Sequence, residues 1–247
     1  MTADILTSLE LDKVLQSNKV LVIKEINGGD SSFITSCVLG HCIRNKNATL
    51  LISTHNSLVH YHNVGLKMNY NLQKSVDSKI INFYDLGNEL VSNMFEDKDS
   101  SLEFMCKIKE QIKAMYDKNG TVNVIFDGVS HLFDLELTLK DINSLCKDVI
   151  DLLHSYNNSF LIFHCNVSHC DNVTNVLANL LSHKSHILVE VESLPSGLSS
   201  DVSGRLTIRY LYRKFQSVNL HIFDQKSSQY LFKLFDRGVK LLAPGTV

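Results

Sequence analysis

The sequence predicts an α/β fold: a mostly parallel sheet covered by helices on both faces, with antiparallel hairpins at its C-terminal end. Strands and helices alternate as far as Val191. The strand segments are apolar along their whole length, as strands buried on both faces must be. From Arg205 onward the helical spacing stops, and short strands joined by turns take its place.

Each element follows from local pattern. Residues 3–17 read as a lead helix with Ile5, Leu9 and Val14 apolar. Val20–Ile26 is the first buried strand, and Ser31–Arg44 the next helix, with Phe33, Ile34, Cys37, Val38 and His41 on one face. Ala48–Ser53 is a second strand, Ser57–Met68 a polar helix and Lys79–Tyr84 a third strand. Ser100-x-x-Glu103 has the form of a capping box and opens a helix reaching about Tyr116. Leu102, Met105, Ile108, Ile112 and Met115 form its inward stripe. Val122–Phe126 is the fourth strand and ends at Asp127-Gly128. Thr138-x-x-Asp141 caps the next helix, whose stripe is Leu139, Ile142, Leu145, Val149 and Leu152. Phe160–Phe163 begins a fifth strand, Asp171–His183 is a helix and Ile187–Val191 a sixth strand. Arg205–Tyr212, Val218–Phe223, Tyr230–Phe235 and Val239–Leu242 are the hairpin strands. A parallel α/β unit followed by such hairpins fits the RecA-like branch of P-loop folds. Residues 1–247 are read as a single domain of that kind.

Composition narrows the function. A formal net charge of −2 gives no global field for nucleic acid, so any RNA contact needs a local patch or partner chains. No apolar run is long enough to span a bilayer, and Met1-Thr2-Ala3-Asp4 does not begin like a secretion signal. The expected setting is the cytoplasm, with residence in the nucleus left open. In that reducing setting Cys37, Cys42, Cys106, Cys146, Cys165 and Cys170 are free thiols.

The segment between Leu21 and Arg44 has the frame of a nucleotide site without its working residues. A phosphate-cradling loop needs backbone N–H groups exposed by glycines, a Lys for the terminal phosphates and a Ser or Thr for Mg²⁺. Gly28 and Gly29 supply the turn, and Ser31 or Ser32 a hydroxyl. No Lys follows, and the loop is too short for the G-x-x-x-x-G-K-[ST] spacing. Asp30 stands at the helix N-terminus, where a carboxylate suits the dipole but repels phosphate. Val124-Ile125-Phe126-Asp127 resembles the strand-end carboxylate that positions Mg²⁺ in P-loop enzymes. The same string also suits a plain strand end turning at Gly128. The loop is therefore read as degenerate, with no catalytic residue, cofactor or metal assigned.

Other clusters point less sharply. His164-Cys165-x-x-x-His169-Cys170 has zinc chemistry, but neighbours on a strand face opposite ways. His183-x-x-His186 suits a ligand pair or, equally, a helix C-terminus. In Arg205–Lys214, Leu206, Ile208, Tyr210 and Tyr212 share one strand face. Arg205, Arg209 and Arg213 fall on the other, roughly 13 Å apart, with Lys214 extending the positive end. Such a row suits phosphate contacts, acidic residues of a neighbouring subunit, or solvent.

Several strings together resemble the Elongator complex protein 6 family. They are His60-Tyr61-x-x-Val64-Gly65-x-Lys67-Met68, Leu181-Ser182-His183-x-Ser185-His186-Ile187-Leu188, Leu194-x-x-Gly197-x-x-x-Asp201-Val202-x-Gly204-x-Leu206, and Tyr230-x-Phe232-Lys233 through Gly245. The likeness runs along nearly the whole chain and is weakest over Asp85–Gly120. It implies a RecA-like subunit without intact nucleotide-binding motifs. Such a subunit joins Elongator proteins 4 and 5 in a hetero-hexameric ring. The ring docks on the catalytic Elongator subcomplex, which modifies the wobble uridine of tRNA at carbon 5, and the assembled ring binds tRNA. The shared strings transfer no catalytic residue onto this chain. A divergent P-loop ATPase or nucleotide kinase, and a stand-alone RNA-binding module, are the alternatives.

Overall fold

The computed structural model describes residues 2–11, 19–95, 103–168, 172–194, 197, 199, 201–211 and 227–242. Among them the strands β1 (Lys19–Ile26), β2 (Thr49–Ser53), β3 (Ile81–Asp85), β4 (Asn123–Asp127), β5 (Phe160–Val167), β6 (Ile187–Glu192), β7 (Gly204–Tyr210), β8 (Ser227–Phe235) and β9 (Gly238–Leu242) form one sheet. Its order is β3-β2-β4-β5-β1-β6-β7-β8-β9. The first six strands are parallel. From β6 through β9 the pairing is antiparallel. This is the predicted architecture. Of the expected hairpin strands, Val218–Phe223 lies outside the described residues.

Two apolar layers sandwich the sheet. On one face lie α1 (Thr2–Ser8), α2 (Ser32–Arg44), α3 (Leu58–Lys67) and α4 (Leu72–Asp77). On the other lie α5 (Leu86–Phe95), α6 (Glu103–Asn119), α7 (Leu139–His154) and α8 (Asn172–Ser182). Period-two alternation sends Leu21 and Ile23 of β1 to the first layer, and Val20 and Val22 to the second. The helix α2 is buried nearly all round, from Phe33 to Gly40 and again at Cys42, so its contact surface exceeds the single stripe expected. The Thr138–Asp141 capping box opens α7 as predicted. Ser100, expected to cap α6, lies outside the described residues.

Two helices had no counterpart in the sequence reading. The helix α4 is a six-residue element capped by Asn71, whose side chain accepts from the Lys74 amide. The helix α5 starts at the residue after β3, and Asp85 Oδ1 accepts the Asn88 amide at 3.0 Å. The lead helix ends at Ser8, Leu9–Leu11 leave it through a turn, and the rest of the expected span, with Val14, lies outside the described residues. Among the described residues no helix is long and apolar enough to cross a membrane.

The antiparallel strands are integral to the core. Phe232 on β8 is 1% exposed and lies 4.9 Å, ring centre to ring centre, from Phe33 at the start of α2. Removing that ring leaves a cavity between the late strands and the helix behind the β1 loop. Phe232→Ala is expected to cost about 3–5 kcal/mol in urea unfolding. Phe235→Ala, at a half-exposed ring three residues on, should stay within about 0.5 kcal/mol.

Candidate functional site

The carboxyl ends of β1, β4 and β5 meet the loop that enters α2. Asn27 and Gly28 both take left-handed backbone (φ 51° and 71°), and the Gly29 amide closes the turn onto the Ile26 carbonyl at 3.1 Å. A side chain at Gly29 would put its Cβ 2.8 Å from the Val191 carbonyl oxygen, so the loop is pressed against β6. Asp30 Oδ1 accepts from the Ser32 amide at 3.1 Å and from the Ser32 hydroxyl at 2.6 Å. Ser32 is thus committed to its own turn.

Beneath the loop, charge replaces the hydrophobic columns of the sheet. Ile23 is followed two residues on by Glu25, Ile125 by Asp127, Ile162 by His164 and Leu51 by Ser53, all on the α2 side. Asp127 Oδ1 lies 2.8 Å from His164 Nδ1. The oxygen sits off the ring N–H direction, so the contact is an ion pair more than an aligned hydrogen bond. Tyr61 from α3 donates its hydroxyl to Asp127 Oδ2 at 2.6 Å and lies 3.1 Å from Ser53 Oγ. On the other side of the ring, His164 Nε2 is 2.6 Å from Ser31 Oγ. Ser31 donates both its hydroxyl (2.6 Å) and its amide (2.9 Å) to Glu25 Oε2. Asn166 donates Nδ2 to Glu25 Oε1 at 2.8 Å.

Burial alone would drive the His164 imidazole toward neutrality, but Asp127, and then Glu25, outweigh it and hold its pKa up to about 9. Burial would likewise raise Asp127, yet His164 and the Tyr61 hydroxyl bring it down to about 2. Glu25 is also held below the usual carboxylate range, with His164 and Ser31 overcoming its burial. The group at neutral pH is one imidazolium between two carboxylates. His164 then donates Nε2–H to Ser31, and Ser31 passes its own hydrogen to Glu25.

The order Ser31, His164, Asp127 is that of a nucleophile, base and orienting acid, but the chemistry is not. A charged imidazole takes no proton from Ser31, and Ser31 is fully buried. Nor does the site suit a triphosphate. The cleft above it, about 400 Å³, is lined by Glu25, Asp30, Asp127 and the four histidines His55, His60, His131 and His164, with Gly28, Gly29, Ser32, Asn56 and Asn166. No Lys or Arg lines it among the described residues. Burial holds His55 below its ordinary value, so it adds little positive charge. The Ser31 hydroxyl and the Asp127 carboxylate, expected as Mg²⁺ ligands in a working site, are both engaged by His164.

Other expected residues lie elsewhere. Arg205 is paired with Glu192 and Arg209 with Glu190, the latter at 2.9 Å, both acids lying on the neighbouring strand β6. Arg213 and Lys214 lie outside the described residues, as do His169 and Cys170. Cys165 faces away from His164 into the opposite layer, where burial pushes its thiol up to about 12. Among the described residues no group of three or more His, Cys, Asp or Glu is arranged to hold a metal. His186 accepts the Val20 amide on Nδ1 at 3.0 Å and so ties the start of β6 to β1. His164 is the buried histidine near the end of β5 that the sequence allows, but its role in an ion-pair cluster has no signal there. Its partners lie across the sheet, and only the strand registers connect them.

A family model described as Elongation complex protein 6 matches residues 4–236. Elongator complex protein 6 of Drosophila melanogaster is 26% identical over 234 residues, covering 91% of this chain and 90% of that protein. The protein of the same name from Mus musculus is 22% identical over 236 residues and covers 87% of each. The one from Homo sapiens is 32% identical over a shorter stretch of 88 residues, 36% of this chain and 32% of that protein. Among solved structures, a KaiC-like protein from Pyrococcus horikoshii superposes with a TM-score of 0.59 over 90% of this chain and 88% of that chain, at 8% identity. That likeness concerns the fold, which is RecA-like.

The charge arrangement fixes a pH dependence. His164 has a folded pKa raised from 6.5 to about 9, so its stabilisation is complete below 6.5 and is lost as pH rises through 9. Asp127 is lowered from 3.8 to about 2, so its contribution is present above 3.8 and is lost as pH falls through 2. Urea unfolding against pH should therefore show a plateau in the mildly acidic range and a decline toward pH 9. His164→Gln should be less stable and should lose the alkaline decline. A wild-type profile flat from pH 6 to 10 would contradict the imidazolium assignment.

Proposed function

This chain belongs to the Elongator complex protein 6 family, and from that membership we propose that it is a non-catalytic ring subunit supporting tRNA wobble-uridine modification. In this reading it assembles with Elongator proteins 4 and 5 into a hetero-hexamer in the cytoplasm. The ring docks on the catalytic Elongator subcomplex and binds tRNA as an assembly. A ring of weak sites gives avidity that one chain of net charge −2 lacks.

The observation that carries the non-catalytic part is the floor of the cleft. A phosphoryl-transfer site needs cations around the terminal phosphate. Here Glu25 and Asp127 stand on either side of a single imidazolium, and Asp30 adds a further negative charge at the loop. The Arg205, Arg209, Arg213 and Lys214 segment is assigned to contact with a neighbouring protein rather than to RNA alone. Glu192 and Glu190 already balance its first two charges.

Two measurements test the proposal. Millimolar Mg²⁺-ATP should leave the melting temperature of the isolated chain unchanged, since a ligand at about 100 times its Kd would add about 2.7 kcal/mol. A shift abolished by Asp127→Ala would favour an ATPase instead. Co-expression with Elongator proteins 4 and 5 should give one hexamer-sized species by size-exclusion chromatography with light scattering. A monomeric product would overturn the ring assignment.

A further inference from the structure

Charge is unevenly placed along this chain. Although it carries 26 Asp and Glu residues, none falls between Asp30 and Asp77, the stretch that builds α2, β2, α3 and α4. Arg44, Lys46, Lys67 and Lys74 lie within that stretch, and Lys79 follows it. All five are exposed, and none has a carboxylate at ion-pair distance among the described residues. On the opposite layer, by contrast, Lys107 meets Glu89 at 2.9 Å and Lys109 meets Asp148 at 3.0 Å.

The fold gathers the five cations at one end. The helices α2, α3 and α4 each finish in the same closure. The amides of Lys46 and Asn47 reach back to the Ile43 and Cys42 carbonyls, those of Asn69 and Tyr70 to Leu66 and Gly65, and those of Lys79 and Ile80 to Val76 and Ser75. That pattern puts Lys46, Asn69 and Lys79 in left-handed backbone, with φ of 54°, 62° and 57°. Glycine or asparagine is the usual occupant there, so lysine at two of the three stands against local preference. The helix dipoles do not account for those two, because Arg44, Lys67 and Lys74 already supply cations in the last turns. The Thr49 amide donates to the Ile80 carbonyl at 3.0 Å, which draws the turns of Lys46 and Lys79 together at the amino ends of β2 and β3. The Tyr70 ring wedges between α2 and α3. A Cβ on Gly65 would stand 2.5 Å from it and one on Gly40 2.9 Å, and the Arg44 guanidinium lies 3.3 Å from that second point. The degenerate nucleotide cleft is at the carboxyl ends of the strands, and none of the five lines it.

The make-up of this surface selects its ligand. Exposed among the cations are Asn45, Asn63, Asn69 and Asn71, and Leu66 is the one large apolar side chain well exposed at this end among the described residues. A protein interface needs an apolar centre, whereas Lys, Arg and Asn side chains free of acids are the groups that hold phosphodiesters. Cations spread over three helix ends suit an extended backbone of phosphates rather than one small anion. We propose that the surface formed by the C-terminal ends of α2, α3 and α4 binds the phosphate backbone of RNA through Arg44, Lys46, Lys67, Lys74 and Lys79. The proposal deepens the ring-subunit reading and rests on it for tRNA as the probe. It names the surface that a chain of net charge −2 turns toward that ligand. Such contacts are electrostatic and carry no base sequence.

The test measures tRNA affinity by fluorescence anisotropy over a series of salt concentrations, with the full chain assembled with Elongator proteins 4 and 5. Lys46→Gly combined with Lys79→Gly removes two charges at positions where glycine relieves the backbone, so the fold is kept. This pair should weaken tRNA binding about ten-fold at low salt and flatten the slope of log K against log salt by about 1–2. Lys67→Gln combined with Lys74→Gln should do the same. Lys113→Gln, on α6 in the opposite layer, should change neither. If the wild-type ring does not form or does not bind tRNA, the ring-subunit reading fails and this proposal with it. If the ring binds tRNA and both pairs bind like the wild type, the ring stands and the surface assignment is overturned. If the pairs instead fail to assemble, the surface meets an acidic protein and the RNA assignment is overturned.

Discussion

His164 stands between carboxylates from the strands on either side of its own, with Asp127 on β4 and Glu25 on β1. An imidazolium 4% exposed is costly to bury, and two anions offset the desolvation that one would meet only in part. The group fastens together the ends of the three strands that meet under the β1–α2 loop. Through Ser31 it also fixes the start of α2, and through Asp127 and Tyr61 it reaches α3. The loop and the walls of the cleft take their positions from this pair of ionic contacts. Removing one partner strands the others as buried charges, so the cluster is held or lost as a unit.

The same cluster occupies the place where a working RecA-like frame holds phosphate and metal. In such a frame the first loop presents N–H groups and a cation, and the fourth strand ends in a carboxylate for the metal. This chain keeps the carboxylate and the hydroxyl, but His164 engages both. The fold tolerates the exchange because sheet and helices draw their stability from two apolar layers that do not involve the loop. Architecture and site chemistry are separable.

Much of the fold could be read from pattern because burial and period are local properties. Continuous apolar runs marked the parallel strands, and the Thr138–Asp141 box marked α7. The helix α5 escaped because it follows β3 without a loop, although Asp85 three residues before Asn88 is a capping signal. The site was less legible. The missing Lys and the misplaced Asp30 were visible as types and spacing, whereas the role of His164 was not. In sequence His164 sits beside Cys165, which suggests a metal, but on a strand those two point to opposite layers. Its true neighbours, Asp127 and Glu25, lie 37 and 139 residues away in the chain, and only the registers β4–β5 and β1–β5 bring them close. The arginine stripe has Leu206, Ile208 and Tyr210 of its buried face in the core as expected, and Tyr212 outside the described residues. Its other face could not be judged without knowing that β6 supplies Glu190 and Glu192 opposite.

The position of α1 bears on biogenesis. Ile5, Leu6 and Leu9 pack in the layer that holds Tyr210 and Val239, and the Tyr210 hydroxyl donates to the Ser8 carbonyl at 2.7 Å. The helix α1 thus rests on strands β7 and β9, and the Ser8–Tyr210 bond spans 202 residues of chain. While the ribosome is still translating β6, α1 has α2 to settle on but lacks the strand surface of β7 and β9. The strand β1 likewise waits in the nascent chain for β5 and β6, its partners on either side. Full burial of α1 therefore waits for the antiparallel strands to leave the exit tunnel.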